Sequence, residues 1–267
     1  MKPSHPLTPE EEINIEIRRK TIKAFALFGL AGFVPFGVWK YIKNQPKTDG
    51  VENPLRNILE VNGKLSKSYF SQVRLAPTFN KSEAAKKPKV NGREGLKKPI
   101  DLTEWSLKIT SDYKEKKIVS LNIDQIKSLP KHEVIFEFKC IEGWSQVMHW
   151  GGARLCDLME TYKLGTRDGS ILNNSDFKNL FKYVGMETPD KEYFVGIDME
   201  SALHPQTLLC YELNGKPLSQ DHGFPLRLII PVKYGVKNIK RIGNIIFTDN
   251  RPADYWAELG YDYFGGL

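Results

Sequence analysis

Cys140 stands where a strand runs out. Val134-Ile135-Phe136-Glu137-Phe138 is rich in β-branched and aromatic residues and reads as a half-buried strand, whereas Glu142-Gly143-Trp144-Ser145 cannot continue it. A thiol held at a strand end facing a cleft offers a soft thiolate to a transition metal and leaves other coordination positions open. Free cysteine is also among the most buried residue types, so core packing is the competing reading. A second constellation lies between Gln220 and Lys240. There Arg227, Lys233, Lys237 and Lys240 recur every few residues, with glycines at 223 and 235 that permit close backbone approach. Such cations can surround a phosphate through charge-assisted hydrogen bonds. From spacing alone, a solvated loop with strand-end lysines remains equally open.

Other chemistries find less support. Cys140, Cys156 and Cys210 show no C-x-x-C spacing and leave an odd thiol after any pairing, which argues against a disulfide framework. The five histidines never fall at ligand spacing beside them, so structural zinc is unsupported. The net charge of +7 is spread over polar stretches and carries no nucleic-acid signature.

The elements that must position these residues are short. Trp105 to Ile109 alternates as a strand, Ile123 to Leu129 reads as a short helix before Pro130, and Arg154 to Leu164 has helical spacing stopped by Gly165. Cys156 in that helix is read as packing. Further strands are expected at Tyr183 to Met186, Thr207 to Leu213 with Cys210 in the core, Leu226 to Ile230, and within Ile239 to Asp249. Gln45 to Val51 is read as a linker, and the stretch from there to Lys98 as loops wrapped over a domain. Strands and helices without regular alternation imply an α+β fold of mixed sheets.

The N-terminus carries a membrane signal. No residue from Ala24 to Trp39 is charged, and Trp39 and Tyr41 mark its far boundary. The run is shorter than the ~20 residues a span prefers, so Lys23 and Lys40 would snorkel. Arg18-Arg19-Lys20-Thr21-Ile22-Lys23 resembles a twin-arginine export signal, and no small-x-small cleavage site follows. The expected organisation is a cytoplasmic tail over 1–20, an uncleaved transmembrane anchor over 21–43, a linker over 44–60, and an extracytoplasmic catalytic domain over 61–267.

Several segments in order resemble the molybdopterin-binding domain of the sulfite oxidase superfamily: C-I-E-G-W-S from Cys140, W-G-G-A-R-L from Trp150, Y-V-G-M-E-T ending at Thr188, H-G-F-P-L-R-L-I-I-P from His222 and K-Y-G-V-K-N-I-K from Lys233. The similarity is greatest to the branch that contains the periplasmic protein-methionine-sulfoxide reductase catalytic subunits. The resemblance implies a sulfite-oxidase-type fold, a molybdenum-molybdopterin cofactor and oxygen-atom transfer. It implies Cys140 as the molybdenum ligand, Thr188 as a cofactor contact and Arg227 as the phosphate clamp. His222 stands where close relatives carry an asparagine. Asn238, Ile239 and Lys240 match a cofactor loop, and Asn91 matches an asparagine of the first loop, with Asn80 as competitor.

Sulfite oxidases place an arginine just before the ligand cysteine. Here Phe138 and Lys139 precede it, so sulfite is disfavoured. Trp144, His149, Trp150 and Tyr193 are candidates for the substrate pocket. With no C-x-x-C-H and no cytochrome b5-like segment, electrons are expected from a separate membrane partner, haem- or quinol-linked, serving a monomeric catalytic unit. The alternatives are oxidation of sulfite or another small anion, and a cofactor-free binding module that kept the fold.

Overall fold

The alternation before Cys140 builds a long hairpin. The computed structural model describes residues 36–71, 73–111, 118–173 and 178–267. Besides a short pair, Lys47–Thr48 with Val51–Glu52, its strands are β1 (Leu107–Ser111), β2 (Ile118–Leu121), β3 (Lys131–Lys139), β4 (Ser145–Arg154), β5 (Tyr183–Glu187), β6 (Phe194–Asp198), β7 (Leu208–Leu213), β8 (Lys216–Pro217), β9 (Arg227–Ile229) and β10 (Asn244–Thr248). In β3, Val134, Phe136 and Phe138 are buried while their neighbours face outward, the period of two that a one-sided sheet demands. β3 pairs antiparallel with β4 from Lys131 opposite Ala153 to Lys139 opposite Ser145. Cys140 to Trp144 therefore form the hairpin's tip.

The chain divides into two compact units, residues 1–47 with 52–55 and residues 48–51 with 56–267. In the first, helix α1 (Phe36–Lys43) is described, and Lys43 pairs with Glu52 at 2.9 Å. The twin-arginine-like segment and most of the expected anchor lie outside the described residues. Among the described residues, no helix is long and apolar enough to cross a membrane.

The second unit holds two five-stranded sheets. One runs β8-β7-β4-β3, with β9 also paired to β7, and is antiparallel throughout. The other runs β2-β1-β10-β5-β6, in which β10 lies parallel to β1 and every other pair is antiparallel. Helices α3 (Ile123–Lys127), α4 (Leu155–Tyr162) and α5 (Met199–Ala202) bury Ile126, Leu158 and Ala202 in one core with Ile109, Val184 and Phe247. A second cluster gathers Phe136, Phe138, Cys140, Trp150, Cys210 and Ile229 within the first sheet. Cys210 is mid-strand core, as its position in Thr207 to Leu213 implied, and all three cysteines are free.

Two expectations need correction. The stretch read as linker and loops contains a long helix, α2 (Asn53–Tyr69). Asn53-Pro54 is a helix-start signal that was available in the sequence. What hid the helix is its polarity. Its buried residue is Arg56, which donates to the carbonyls of Thr48, Asp49, Ala257 and Tyr261, while Ile58, Val61, Leu65 and Tyr69 face outward. Second, Ile239 to Asp249 is strand only from Asn244. The residues before it form an irregular loop whose backbone groups serve neighbouring segments instead of a ladder: the Ile239 carbonyl accepts from Leu228 and the Ile242 amide donates to Leu226.

Candidate active site

The hairpin tip fixes Cys140 through its main chain. Its amide donates to the Trp144 carbonyl at 2.9 Å, its carbonyl accepts from Gly143 at 3.1 Å, and Gly143 has φ of +82°, a conformation that favours glycine. The ring of Trp144 stacks on Phe138 at 5.9 Å and donates to Glu142 at 2.7 Å, so the turn is packed as well as bonded. Burial, with a smaller contribution from the Glu142 charge, raises the Cys140 thiol pKa, opposed by backbone donors and the Lys89 charge. Without a metal this sulfur keeps its proton at neutral pH, and a bound cation would displace it. The two readings of Cys140 are thus compatible: the residue is buried in the core, and it lines a cavity.

Facing Cys140 across that cavity are Asn91, Gly235, Asn238 and Lys240, with Glu94, Glu142, Tyr193 and Trp256 completing its wall. Gly235 brings the 235–238 loop close: a Cβ there would stand 2.8 Å from the Phe138 ring and 3.3 Å from the Lys139 carbonyl. Gly235→Ala is accordingly expected to push this loop off β3, costing about 1–3 kcal/mol in chemical denaturation and lowering cofactor occupancy. Asn238 is locked by its own side chain, which accepts from the Ile230 amide at 2.6 Å and donates to the Tyr234 carbonyl at 3.0 Å.

Beneath this loop lie cations without anions. Arg227 is 1% exposed, sits 4.5 Å from the Trp150 ring centroid, and donates to the carbonyls of His222 and Asn238 at 3.1 Å each. Its buried Nε has no partner. Lys240, 6% exposed, bonds the carbonyls of Asn91, Gly92 and Asp221. Among the described residues neither forms an ion pair. Burial holds Arg227 down to about 10. Burial first, and then the charge of Arg227, hold Lys240 down to about 7. Burial first, and then the charges of Arg227 and Lys240, lower the His222 pKa.

Buried cations left uncompensated are costly unless a ligand supplies the charge. The residues therefore fit an anionic cofactor: Arg227 and Lys240 toward its phosphate, and Cys140 toward its metal. Sign and window follow for Lys240. Its folded pKa of about 7 lies below its usual 10.5, so between those values the unfolded chain binds more protons. Stability of the cofactor-free chain should rise with pH across that window. A bound phosphate removes the penalty, so the gain in Tm on cofactor binding is expected to be larger below pH 7 than above pH 9. Scanning calorimetry of both forms checks this.

The expected cradle is only partly assembled. Lys233 and Lys237 are also buried, but Lys233 lies 3.5 Å from Asp198 and donates to the Phe264 carbonyl, while Lys237 pairs with Asp254 at 2.5 Å. Carboxylates distant in sequence neutralise both, and neither lines this cavity. Thr188 does not line the cavity. Its hydroxyl donates to Asp190 at 2.6 Å and accepts from the Tyr193 amide, which shapes the turn that carries Tyr193. Ile239 is core, with its carbonyl held by Leu228. Asn91 reaches the cavity, whereas Asn80 caps a separate turn with Glu83. Among the candidate pocket residues, Tyr193 lines the wall and donates to the Val236 carbonyl at 2.6 Å. Trp150 underlies Arg227, and His149 contacts Glu133 at 3.2 Å, so neither faces the cavity.

Glu94, Glu142 and Arg241 escaped the sequence reading. Arg241 is buried and donates to the carbonyls of Phe224, Gly95 and Lys98 and to Gln220, tying the first loop to the 220–224 turn. The dense cationic run Lys240-Arg241 was its available signal.

Comparison with known proteins agrees with this arrangement. Residues 95–256 match the family described as oxidoreductase molybdopterin binding domain. The chain is 30% identical over 220 residues to a chain provisionally named protein-methionine-sulfoxide reductase subunit YedZ1 from Azospira oryzae, covering 82% of this chain and 78% of that one. It is 34% identical over 173 residues to the protein-methionine-sulfoxide reductase catalytic subunit MsrP of Xanthomonas campestris pv. campestris, covering 63% of this chain and 52% of that one. The chain thus spans about half the length of the MsrP relatives it matches. Among solved structures, the sulfane dehydrogenase SoxCD from Paracoccus pantotrophus aligns with a TM-score of 0.46 and 17% identity over 57% of this chain and 40% of that one, too distant to carry the argument. The family match takes in more than half of the chain, and both the hairpin thiol and the buried cations fall inside it. On that ground the chain belongs to the oxidoreductase molybdopterin-binding domain family of the sulfite oxidase superfamily.

Proposed function

We propose that this chain is a membrane-anchored, extracytoplasmic molybdenum-molybdopterin oxidoreductase that reduces a sulfoxide of the methionine type, or a related S- or N-oxide, by oxygen-atom transfer. One observation carries the reading: a rigid thiol, Cys140, and a buried cation, Lys240, line one cavity, and a second buried cation, Arg227, lies behind its wall, bonded to the Asn238 carbonyl. The names of the relatives at 30% and 34% identity support the substrate class. The uncharged run from Ala24 to Trp39 and the twin-arginine-like segment support the anchor and the location. In this reading the catalytic domain extends back from the expected 61–267 to take in α2.

When bound, the cofactor supplies two-electron oxygen-atom chemistry. The chain's own residues do the rest. Cys140 gives a thiolate whose position is set by the hairpin tip, and Arg227 with Lys240 anchors the phosphate end. Asn91 and Asn238 fix the loops between them. Tyr193 spends its hydroxyl proton on Val236 and shapes the wall without serving as an acid. Glu94 and Glu142 make the cavity unfavourable for a dianion such as sulfite and tolerant of a neutral sulfoxide. Electrons arrive from a separate haem- or quinol-linked membrane partner.

The test is a substrate panel on the cofactor-loaded full chain. Reduced viologen dye should be consumed with methionine sulfoxide and with dimethyl sulfoxide, with one product thioether formed per two electrons. Turnover of sulfite with ferricyanide, and none of any oxide, would reject the proposed direction.

A further inference from the structure

We infer that the outward face of α2 is a lipid-docking surface that seats the catalytic unit on an anionic bilayer. α2 is inverted relative to an ordinary surface helix. Arg56 and Glu60 face the body of the unit, where Arg56 is buried and Glu60 pairs with Arg251 at 3.1 Å. Ile58, Val61, Leu65 and Tyr69 point away from it, at 61%, 54%, 55% and 75% exposure. Spaced three, four and four apart, they form one stripe along the helix, and the exposed Val73 and Leu75 continue the apolar surface past its end. An apolar stripe left in water is a docking surface, not an accident of composition.

Three features select lipid as its occupant. Lys67 lies on the opposite, body-facing side, 3.7 Å from Glu200, whereas Lys64 is exposed at the border of the stripe, and no acidic residue of the helix lies on its outward face. This is the charge expected beside anionic headgroups. Tyr69 closes the stripe with an amphipathic ring suited to the headgroup region. Thirteen residues separate Trp39, the end of the uncharged run, from Asn53. Fully extended they reach about 45 Å, so the helix is never far from an interface that holds the run. This third feature rests on the anchor proposed above; the first two do not.

The docking has a consequence for the enzyme. Arg56 ties α2 to the carbonyls of Ala257 and Tyr261, and Trp256 of the same segment lines the cavity. A seated α2 therefore sets the distance of this edge of the active site from the bilayer, where a membrane electron donor operates.

The experiment uses the cofactor-loaded full chain in vesicles of phosphatidylcholine and phosphatidylglycerol, with and without brominated acyl chains. A bimane probe is placed on Leu65→Cys, on Val61→Cys and, as the reference, on Lys216→Cys at the edge of the other sheet, with labelled wild type correcting for native thiols. Brominated lipid is expected to quench the probes at 65 and 61 at least about twofold and to leave the probe at 216 unchanged, with less quenching at high salt. If the chain sediments with vesicles but positions 65 and 61 stay unquenched, the face is not lipid-bound, and the inference fails while the anchor stands. If the chain stays in the supernatant and is not quenched, both fail. Quenching of a chain that binds vesicles only transiently supports the face without the anchor. Shielding that requires a co-purified protein and shows no bromine effect makes the stripe a protein interface and overturns the inference.

Discussion

Cys140→Ser is expected to abolish turnover while leaving the fold intact, with reduction of methionine sulfoxide falling by about a thousandfold or more. Serine is nearly isosteric, and the bonds that hold residue 140 are backbone bonds to Trp144 and Gly143, so thermal unfolding should move by no more than a few degrees. What changes is the donor: a hydroxyl is harder and far less acidic than a thiol, and it does not replace a soft ligand. Pterin should remain, because the proposed phosphate contacts, Arg227 and Lys240, are untouched, while the metal's spectrum should shift. Cys156→Ser is the control. Cys156 is half-buried on α4, its thiol pKa is raised by burial, and it is not part of the cavity that Cys140 lines. Normal turnover in that variant, with turnover lost in Cys140→Ser, assigns the chemistry to one sulfur. Equal activity in both would refute it.

Arg227→Met is expected to separate cofactor affinity from stability. Each charge-assisted hydrogen bond to a phosphate contributes about 1.5–3 kcal/mol, so removing the fork should weaken cofactor binding by roughly 10²–10⁴-fold. The cofactor-free chain should hardly suffer. The cation it loses is buried without a counter-ion and has an unpartnered Nε, which offsets the loss of donors to the carbonyls of His222 and Asn238. Lys237→Met makes the contrast. That lysine neutralises buried Asp254, and its loss leaves a carboxylate stranded, at a cost of about 3–5 kcal/mol. Pterin content by fluorescence and unfolding midpoints on both variants measure the two effects. Arg227→Met that loads normally would remove it from the phosphate site.

The contrast between those two cations also shows where sequence reading stops. The alternating Val134 to Phe138 and the glycine at 143 are local signals, so the position of Cys140 at a hairpin tip was legible. Arg227, Lys233, Lys237 and Lys240 look alike in the chain. What divides them is whether a carboxylate from far away arrives: Asp198 reaches Lys233 and Asp254 reaches Lys237, and among the described residues no carboxylate forms an ion pair with the other two. Such pairings are tertiary facts without a local signature. The neighbourhoods of Asn91 and Asn80 are likewise visible only after folding, which hangs the Asn91 loop on the ammonium of Lys240 and leaves Asn80 at a separate turn. α2 went unread because Asn57, Asn62, Gly63, Ser66 and Ser68 dilute its apolar residues with weak helix formers, although Asn53-Pro54 marks its start. Thr188 and Ile239 were assigned to the cofactor through resemblance, and in this chain their polar atoms are engaged by Asp190, Tyr193 and Leu228.

The central claim is that the cavity between the hairpin tip and the 235–240 loop is built for a molybdenum-bearing anionic pterin. The most direct test is the molybdenum and pterin content of the full chain, purified from a host that makes the cofactor. About one of each per folded chain is the predicted result. A correctly folded chain that contains neither would contradict the account and leave a binding module that kept the fold.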